Sequence, residues 1–266
     1  MRPMPTKWHA LSVARPIPSL AIFFGVTVTY LIGGMGLNHA LYSAGPVFPI
    51  CLAGFLINDI FDQEADRINH PNRALTKFPA LTRRTTVVYI VAFISAIVLI
   101  SIQHSGAVRA SWAMMLLTLS NYAFVKRNVP TLKNAYMSAV ACFGLSALDL
   151  TLNQSLSGPF PYAVLGLAMF ARELALDIGD ADGDDDSLAK SIGLNRTKWV
   201  VLFVYLVAFT LMLQAHENRS EMILALSALG GLFLYFVAAE LFGLSEDQMR
   251  PLTGLLVALP VLSVAS

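Results

Sequence analysis

The stretch CLAGFLINDIFDQEADRINHPNR, residues 51–73, decides how this chain reads. An almost wholly apolar run ends in Asn58, Asp59, Asp62, Glu64 and Asp66, which places four of the chain's 17 carboxylates within eight residues. A helix of this kind is stable in lipid, and its charged end belongs at a membrane surface.

Composition extends that reading to the whole chain. Its 266 residues are 56% hydrophobic and 13% charged, about half the charged share of soluble domains. An ordinary soluble domain is excluded, and the expected fold is all-α, a polytopic membrane helical bundle around a central cavity. Nine spans are predicted, over 17–35, 42–61, 85–103, 108–125, 133–152, 160–177, 197–215, 221–243 and 251–266. The basic segment MRPMPTKWHALSVARP precedes an apolar run long enough to remain as a span, so no cleavable signal is expected. Cys51 and Cys142 sit in separate apolar runs with no metal or redox spacing, as small core residues do.

Charge sets the orientation. With the loops assigned from these spans, 15 of the 18 basic residues fall on one side. Arg109 and Arg219 fall opposite, and Arg172 inside a span. The positive-inside rule then places the N-terminus and the loops after spans 2, 4, 6 and 8 in the cytosol. A net charge of +1, distributed as membrane flanks, gives no reason to expect nucleic acid as a partner.

The same face collects the acids. Asp59, Asp62, Glu64 and Asp66 follow span 2, while Asp177, Asp180, Asp182, Asp184, Asp185 and Asp186 follow span 6. Both clusters close an even-numbered span, which suggests two four-span halves, roughly 17–125 and 133–243, plus a last helix in one domain over 1–266. Solvated loop acids would explain either cluster alone, but not the matched pair. A calcium loop starting at Asp180 fails, because its sixth position is Asp185 rather than Gly and its twelfth Ser191 rather than Glu.

In a helix, residues 58, 62 and 66 drift by only about 40° per step. Asn58, Asp62 and Asp66 therefore share a stripe, with Asp59 alongside. Asp177, Asp180 and Asp184 form a second stripe if their segment is helical. Crowded carboxylates repel, and a bound hard cation relieves them; Mg²⁺ typically takes a few carboxylates plus substrate phosphates. Arg73, Lys126 and Lys190 lie on the same face as direct partners for a phosphate group. The expected site is a Mg²⁺-diphosphate site above an apolar cavity, a shape suited to a polyprenyl diphosphate.

NDIFDQEADRINHPNRAL, residues 58–75, resembles the first signature of the UbiA superfamily of intramembrane prenyltransferases, NDxxDxxxD. DIGDADGD, residues 177–184, resembles the second, and YAFVKRNVPTLKN, residues 122–134, resembles the Tyr-x-x-x-Lys segment between them. Arg15-Pro16 before the first span is a further shared feature. The resemblance implies that Asn58, Asp62 and Asp66 bind one Mg²⁺ with Asp59 in support, and that Asp177, Asp180 and Asp184 bind a second. It implies that Arg73 and Lys126 contact the diphosphate, that Tyr122 and Asn134 line its pocket, and that Lys190 lies near a basic loop position. The catalytic set so implied is Asp62, Asp66, Asp177 and Asp180.

The activity implied is Mg²⁺-dependent ionisation of a farnesyl- or geranylgeranyl-class diphosphate, with prenyl transfer to a lipophilic, aromatic acceptor. A terpene cyclase of the same superfamily, with no acceptor, is the alternative. It is favoured by Arg73-Ala74-Leu75 where the family often has Arg-Pro-Leu. An ion or phosphate transporter is a remote third, since transporters place coupling residues near the bilayer midplane. Asp149, Arg172, Glu173 and Glu240 lie inside predicted spans, where ionisable groups are functional or paired; Asp149 with Arg172 is one expected pair. Tyr30, Phe55, Trp112, Phe143, Phe160, Phe170 and Tyr205 are available to face a carbocation.

Overall fold

Prolines open most of the long helices, at positions where a missing N–H costs nothing. Pro16 begins α1 (Pro16–Ile32), and Pro46 precedes α3 (Val47–Phe61), which follows the short α2 (Leu37–Ala44). A 3₁₀ turn, Pro79–Leu81, leads into α6 (Thr82–Ser101), and a second, Pro130–Leu132, leads into α8 (Lys133–Asn153). Between these lie α4 (Gln63–Asn69), α5 (Ala74–Lys77) and α7 (Gly106–Asn128). Pro159 begins α9 (Pro159–Gly179), followed by α10 (Leu188–Ile192) and α11 (Leu194–Ala215). This computed structural model describes residues 16–69, 71, 73–179 and 187–215, all helix, turn or coil with no strand among them.

Helices occupy each predicted span that falls in the described residues, the first seven. Spans 221–243 and 251–266, and with them Glu240, lie outside. Three helical stretches, Leu37–Phe61, Pro79–Ser101 and Pro130–Asn153, are long and apolar enough to cross a membrane. α6 shows how such a helix is built. Thr85, Ala92 and Ala96 point inward and are buried, while Val87, Val91, Ile94 and Val98 are 53–58% exposed. Small residues inward and large apolar ones outward suit a helix that packs on protein and faces hydrocarbon.

Two apolar clusters frame the centre. Val47, Ile50 and Cys51 of α3 pack with Ala96 of α6, Trp112 of α7 and Ala147 of α8. Tyr30 of α1 packs with Ala40 and Ala44 of α2, Leu148 of α8 and Leu165 of α9. Gly54 brings α3 against α7, since a Cβ there would lie 2.3 Å from Leu119 Cδ2. Cys51 is buried and Cys142 half-buried, both as free thiols.

Asp149 corrects one expectation. It is fully buried on α8 but does not pair with Arg172. It accepts hydrogen bonds from Tyr162 Oη at 2.6 Å, Ser157 N at 2.5 Å, Ser157 Oγ at 2.8 Å and Asn153 Nδ2 at 2.8 Å. The chain reverses at Gln154, whose φ is 57°, and that turn folds Ser157 back onto the carboxylate. Asp149 thus ties α8 to α9 at the end of the bundle remote from Asp62, Asp66 and Asp177.

Candidate active site

α3 does not end cleanly at its acidic tip. Asp62 leaves helical geometry, yet its N–H still donates to Asn58 O at 2.8 Å, and Asp66 N donates to Asp62 O at 2.8 Å. The helical register therefore carries across the break into α4, and Asn58, Asp62 and Asp66 all line one cavity. Its volume is about 420 Å³.

Two helices show its depth. Val47, Cys51, Phe55 and Asn58 run up α3 to Asp62 just past its end, and Leu148, Gly144, Val140, Met137 and Lys133 run up α8. Each stripe covers 15 residue steps, about 22 Å at 1.5 Å per residue. Both begin apolar and finish charged. The cavity is thus a deep hydrocarbon slot under a polar rim.

The rim carries four carboxylates, Asp62, Asp66, Glu173 and Asp177, and four cations, Arg73, Lys126, Lys133 and Arg172. Each cation is held against an acid. Arg73, from the residue before α5, donates from Nη1 to Asp66 Oδ1 at 2.5 Å. Lys126, in the last turn of α7, donates to Asp62 Oδ1 at 3.0 Å. Lys133, the first residue of α8, lies 2.8 Å from Asp177 Oδ1, and Asn134 Nδ2 donates to Asp177 Oδ2 at 2.9 Å. Arg172 bonds Glu173, one turn before Asp177 on α9. Unpaired charges this buried would be costly, and mutual pairing removes most of that cost.

Among the described residues, no group of three or more His, Cys, Asp or Glu side chains is close enough to hold a metal alone. The acids come from different helices, and each is turned to its own cation. The donor set nevertheless fits Mg²⁺, which completes its shell with substrate phosphate oxygens. Asn58 Oδ1 is buried, with no hydrogen-bond partner among the described residues, on the same stripe as Asp62 and Asp66. An amide oxygen left in that position beside two carboxylates suits a hard cation.

Of the residues singled out in the sequence, the structure brings Asn58, Asp62, Asp66, Arg73, Tyr122, Lys126 and Asp177 to this cavity. Three stand elsewhere. Asp59 is buried behind the wall. Asn134 is fully buried and orients Asp177 rather than lining the pocket. Lys190 is exposed on α10, off the cavity wall. Asp180 and Asp184 lie outside the described residues. Lys133, Arg172 and Glu173 are rim residues that the expected site did not include. For Lys133 the signal was its place beside Asn134 at the head of an apolar run. Of the candidate aromatics, Phe55 and Trp112 line the cavity.

The described residues thus form a helical protein with a balanced ionic rim over a deep apolar slot. The chain belongs to the UbiA prenyltransferase family, whose model matches residues 17–253. The digeranylgeranylglyceryl phosphate synthase of Halobacterium salinarum is 30% identical over 190 residues, covering 68% of this chain and 66% of that protein. The synthase of the same name from Natronomonas pharaonis is 28% identical over 216 residues, covering 76% and 73%. The chain thus aligns with roughly two thirds to three quarters of these relatives' length. A UbiA homolog from Archaeoglobus fulgidus, solved bound to DMAPP and Mg²⁺, shares the fold with a TM-score of 0.72 at 12% identity, over 96% of this chain and 99% of that one. The apo UbiA homolog from Aeropyrum pernix K1 does so with a TM-score of 0.68 at 16% identity, over 99% and 98%.

Proposed function

We propose that this chain ionises a geranylgeranyl-class diphosphate at the rim and transfers the prenyl group to a lipophilic acceptor. The observation that carries the reading is the rim itself, where four acids and four cations meet over a slot about 22 Å deep. The head group and the hydrocarbon of such a donor need those two environments, in that order.

Asn58, Asp62 and Asp66 would hold one Mg²⁺, and Asp177, with Asp180 and Asp184 of the second motif, another. When bound, Mg²⁺ stabilises charge on the departing diphosphate as the allylic C–O bond breaks. Arg73 and Lys126, which now pair with Asp66 and Asp62, would donate to diphosphate oxygens, where charge develops, once those acids turn to the metal. Phe55 and Trp112 offer ring faces to the allylic cation, and the apolar walls keep water from capturing it. The rim opens on the cytosolic side in this reading, and the two clusters come from two four-span halves of one domain.

For the acceptor, the curated relatives' name points to a lipid bearing a glyceryl phosphate rather than to an aromatic ring. Arg172 supports that choice. It is a rim cation whose ion pair is with its chain neighbour Glu173, so an anionic headgroup can compete for it. The test is to incubate purified protein with Mg²⁺ and geranylgeranyl diphosphate, with and without geranylgeranylglyceryl phosphate. The expected outcome is a doubly prenylated lipid formed only with the acceptor. A cyclic hydrocarbon or alcohol formed without it would replace this reading by the cyclase.

A further inference from the structure

At the end of the bundle opposite the acidic rim, a second constellation has no part in this chemistry. α3 climbs from Val47 to the rim, α6 returns from it to Ser101, and α7 starts back at Gly106. α2 and the α6–α7 turn therefore meet at the far face, and two histidines meet with them. His39 Nε2 and His104 Nε2 lie 3.0 Å apart, both on exposed side chains, 65 residues apart in sequence.

The segments that carry them are fastened together. Gln103 is 4% exposed and donates from Nε2 to Tyr42 O at 3.2 Å and to Leu99 O at 3.2 Å. The Tyr42 hydroxyl donates to Ile102 O. The Tyr42 ring packs 4.9 Å from the His104 ring, centre to centre. Both imidazoles thus stand on a braced base, each presenting the same nitrogen to the other.

Two neutral imidazoles can share one hydrogen bond this way only if their tautomers are complementary. The same approach also suits a metal. A metal–nitrogen bond of about 2.0–2.1 Å at a tetrahedral angle puts two nitrogens roughly 3.3–3.4 Å apart. Opening the pair by about 0.3–0.4 Å would therefore admit an ion. Imidazole ligands select Zn²⁺, Cu²⁺ and Ni²⁺ over Mg²⁺ and Ca²⁺.

We propose that His39 and His104 form a transition-metal site, taking Zn²⁺ with water in the remaining positions, that clips α2 to the α6–α7 turn. The clip lies against the cavity floor. Ala40 and Ala44 of α2 pack on Leu145, Leu148 and Leu165, and all three of those leucines line the hydrocarbon slot. Metal at the far face would therefore stiffen the floor without touching the rim.

The experiment uses detergent-purified protein with no polyhistidine tag, stripped of metal and then held in a large excess of Mg²⁺ so that Mg²⁺ competes with zinc at the rim. Zn²⁺ is titrated against a chromogenic chelator, and the melting midpoint is followed in parallel. The expected result is one Zn²⁺ per chain in the wild type, bound at least tenfold more weakly by His39→Gln and by His104→Gln. A midpoint that rises with Zn²⁺ in the wild type alone is also expected. A Co²⁺ absorption spectrum of the wild type, with the bands of a nitrogen-ligated ion, gives a readout that needs no variant. Unchanged zinc affinity in both variants, or no zinc bound by the wild type, would overturn the proposal. So would a Co²⁺ spectrum matching the aquated ion.

Discussion

Lys133→Met is the most informative single change at the rim. In the wild type Lys133 Nζ lies 2.8 Å from Asp177 Oδ1, and the two side chains are only 4% and 6% exposed. Methionine keeps the apolar stem and removes the charge, while the Asn134 amide still donates to Asp177 at 2.9 Å. Removing one partner of a pair this buried costs about 3–5 kcal/mol. At about 2–4 °C per kcal/mol for domains near this size, the melting midpoint in EDTA should fall by roughly 6–20 °C. Two additions should reverse the loss. Asp177→Asn in the same chain removes the charge that Lys133 balanced and should recover most of the stability, because a neutralised pair is nearly neutral in energy. Mg²⁺ with a non-cleavable prenyl diphosphate analogue should also raise the variant, by about 2.7 kcal/mol at a hundredfold excess over its dissociation constant. The assay is thermal unfolding in detergent, followed by intrinsic fluorescence. A Lys133→Met midpoint within 1 °C of the wild type in EDTA would refute the reasoning. So would a double variant no more stable than the single one.

Other changes test other parts of the account. Lys126→Met and Arg73→Met should each lower kcat with geranylgeranyl diphosphate by about 10²–10³, the usual cost of removing a donor aimed at developing charge, as read from diphosphate release. Ala141 on α8 also lines the slot, and Ala141→Trp should narrow it and shift preference to shorter donors. Excluding one five-carbon unit forfeits up to about 4 kcal/mol of burial, which competition between geranyl and geranylgeranyl diphosphates would show. Tyr162→Phe removes the 2.6 Å bond to Asp149 and should cost about 1.5–3 kcal/mol in unfolding experiments, with turnover largely kept because the change is remote from the rim.

Among the candidate residues, those that the structure brings to one cavity are those whose spacing survives small backbone changes. Asn58, Asp62 and Asp66 remain on one stripe because the two backbone bonds across Asp62 preserve a step of four. Lys133 and Asn134 show the opposite case. Adjacent helical residues point about 100° apart, so sequence alone does not say which of two polar neighbours faces the slot. Here the lysine does, and the asparagine braces Asp177 from behind. Asp59, one step away from the Asn58 stripe, is off the cavity wall for the same reason. Asp149 was recognisable as a buried acid needing partners, but its partners follow from the left-handed residue at Gln154 and the fold-back of Ser157. That is turn geometry, which helical periodicity does not encode. The fold was more legible than the site, since an apolar run of about 20 residues leaves few alternatives to a helix in lipid.

The central claim is that Asp62 and Asp66, at the α3–α4 junction and on α4, act together with Asp177 of α9 on a prenyl diphosphate. The direct measurement is Mg²⁺-dependent diphosphate release from geranylgeranyl diphosphate by Asp62→Asn, Asp66→Asn and Asp177→Asn. Each variant is first shown to elute and melt as a folded protein. The account predicts that every one of the three loses at least about 10²-fold in rate, and that the wild type falls silent in EDTA. Near-normal release from Asp62→Asn together with Asp177→Asn, or release by the wild type that persists in EDTA, would contradict it.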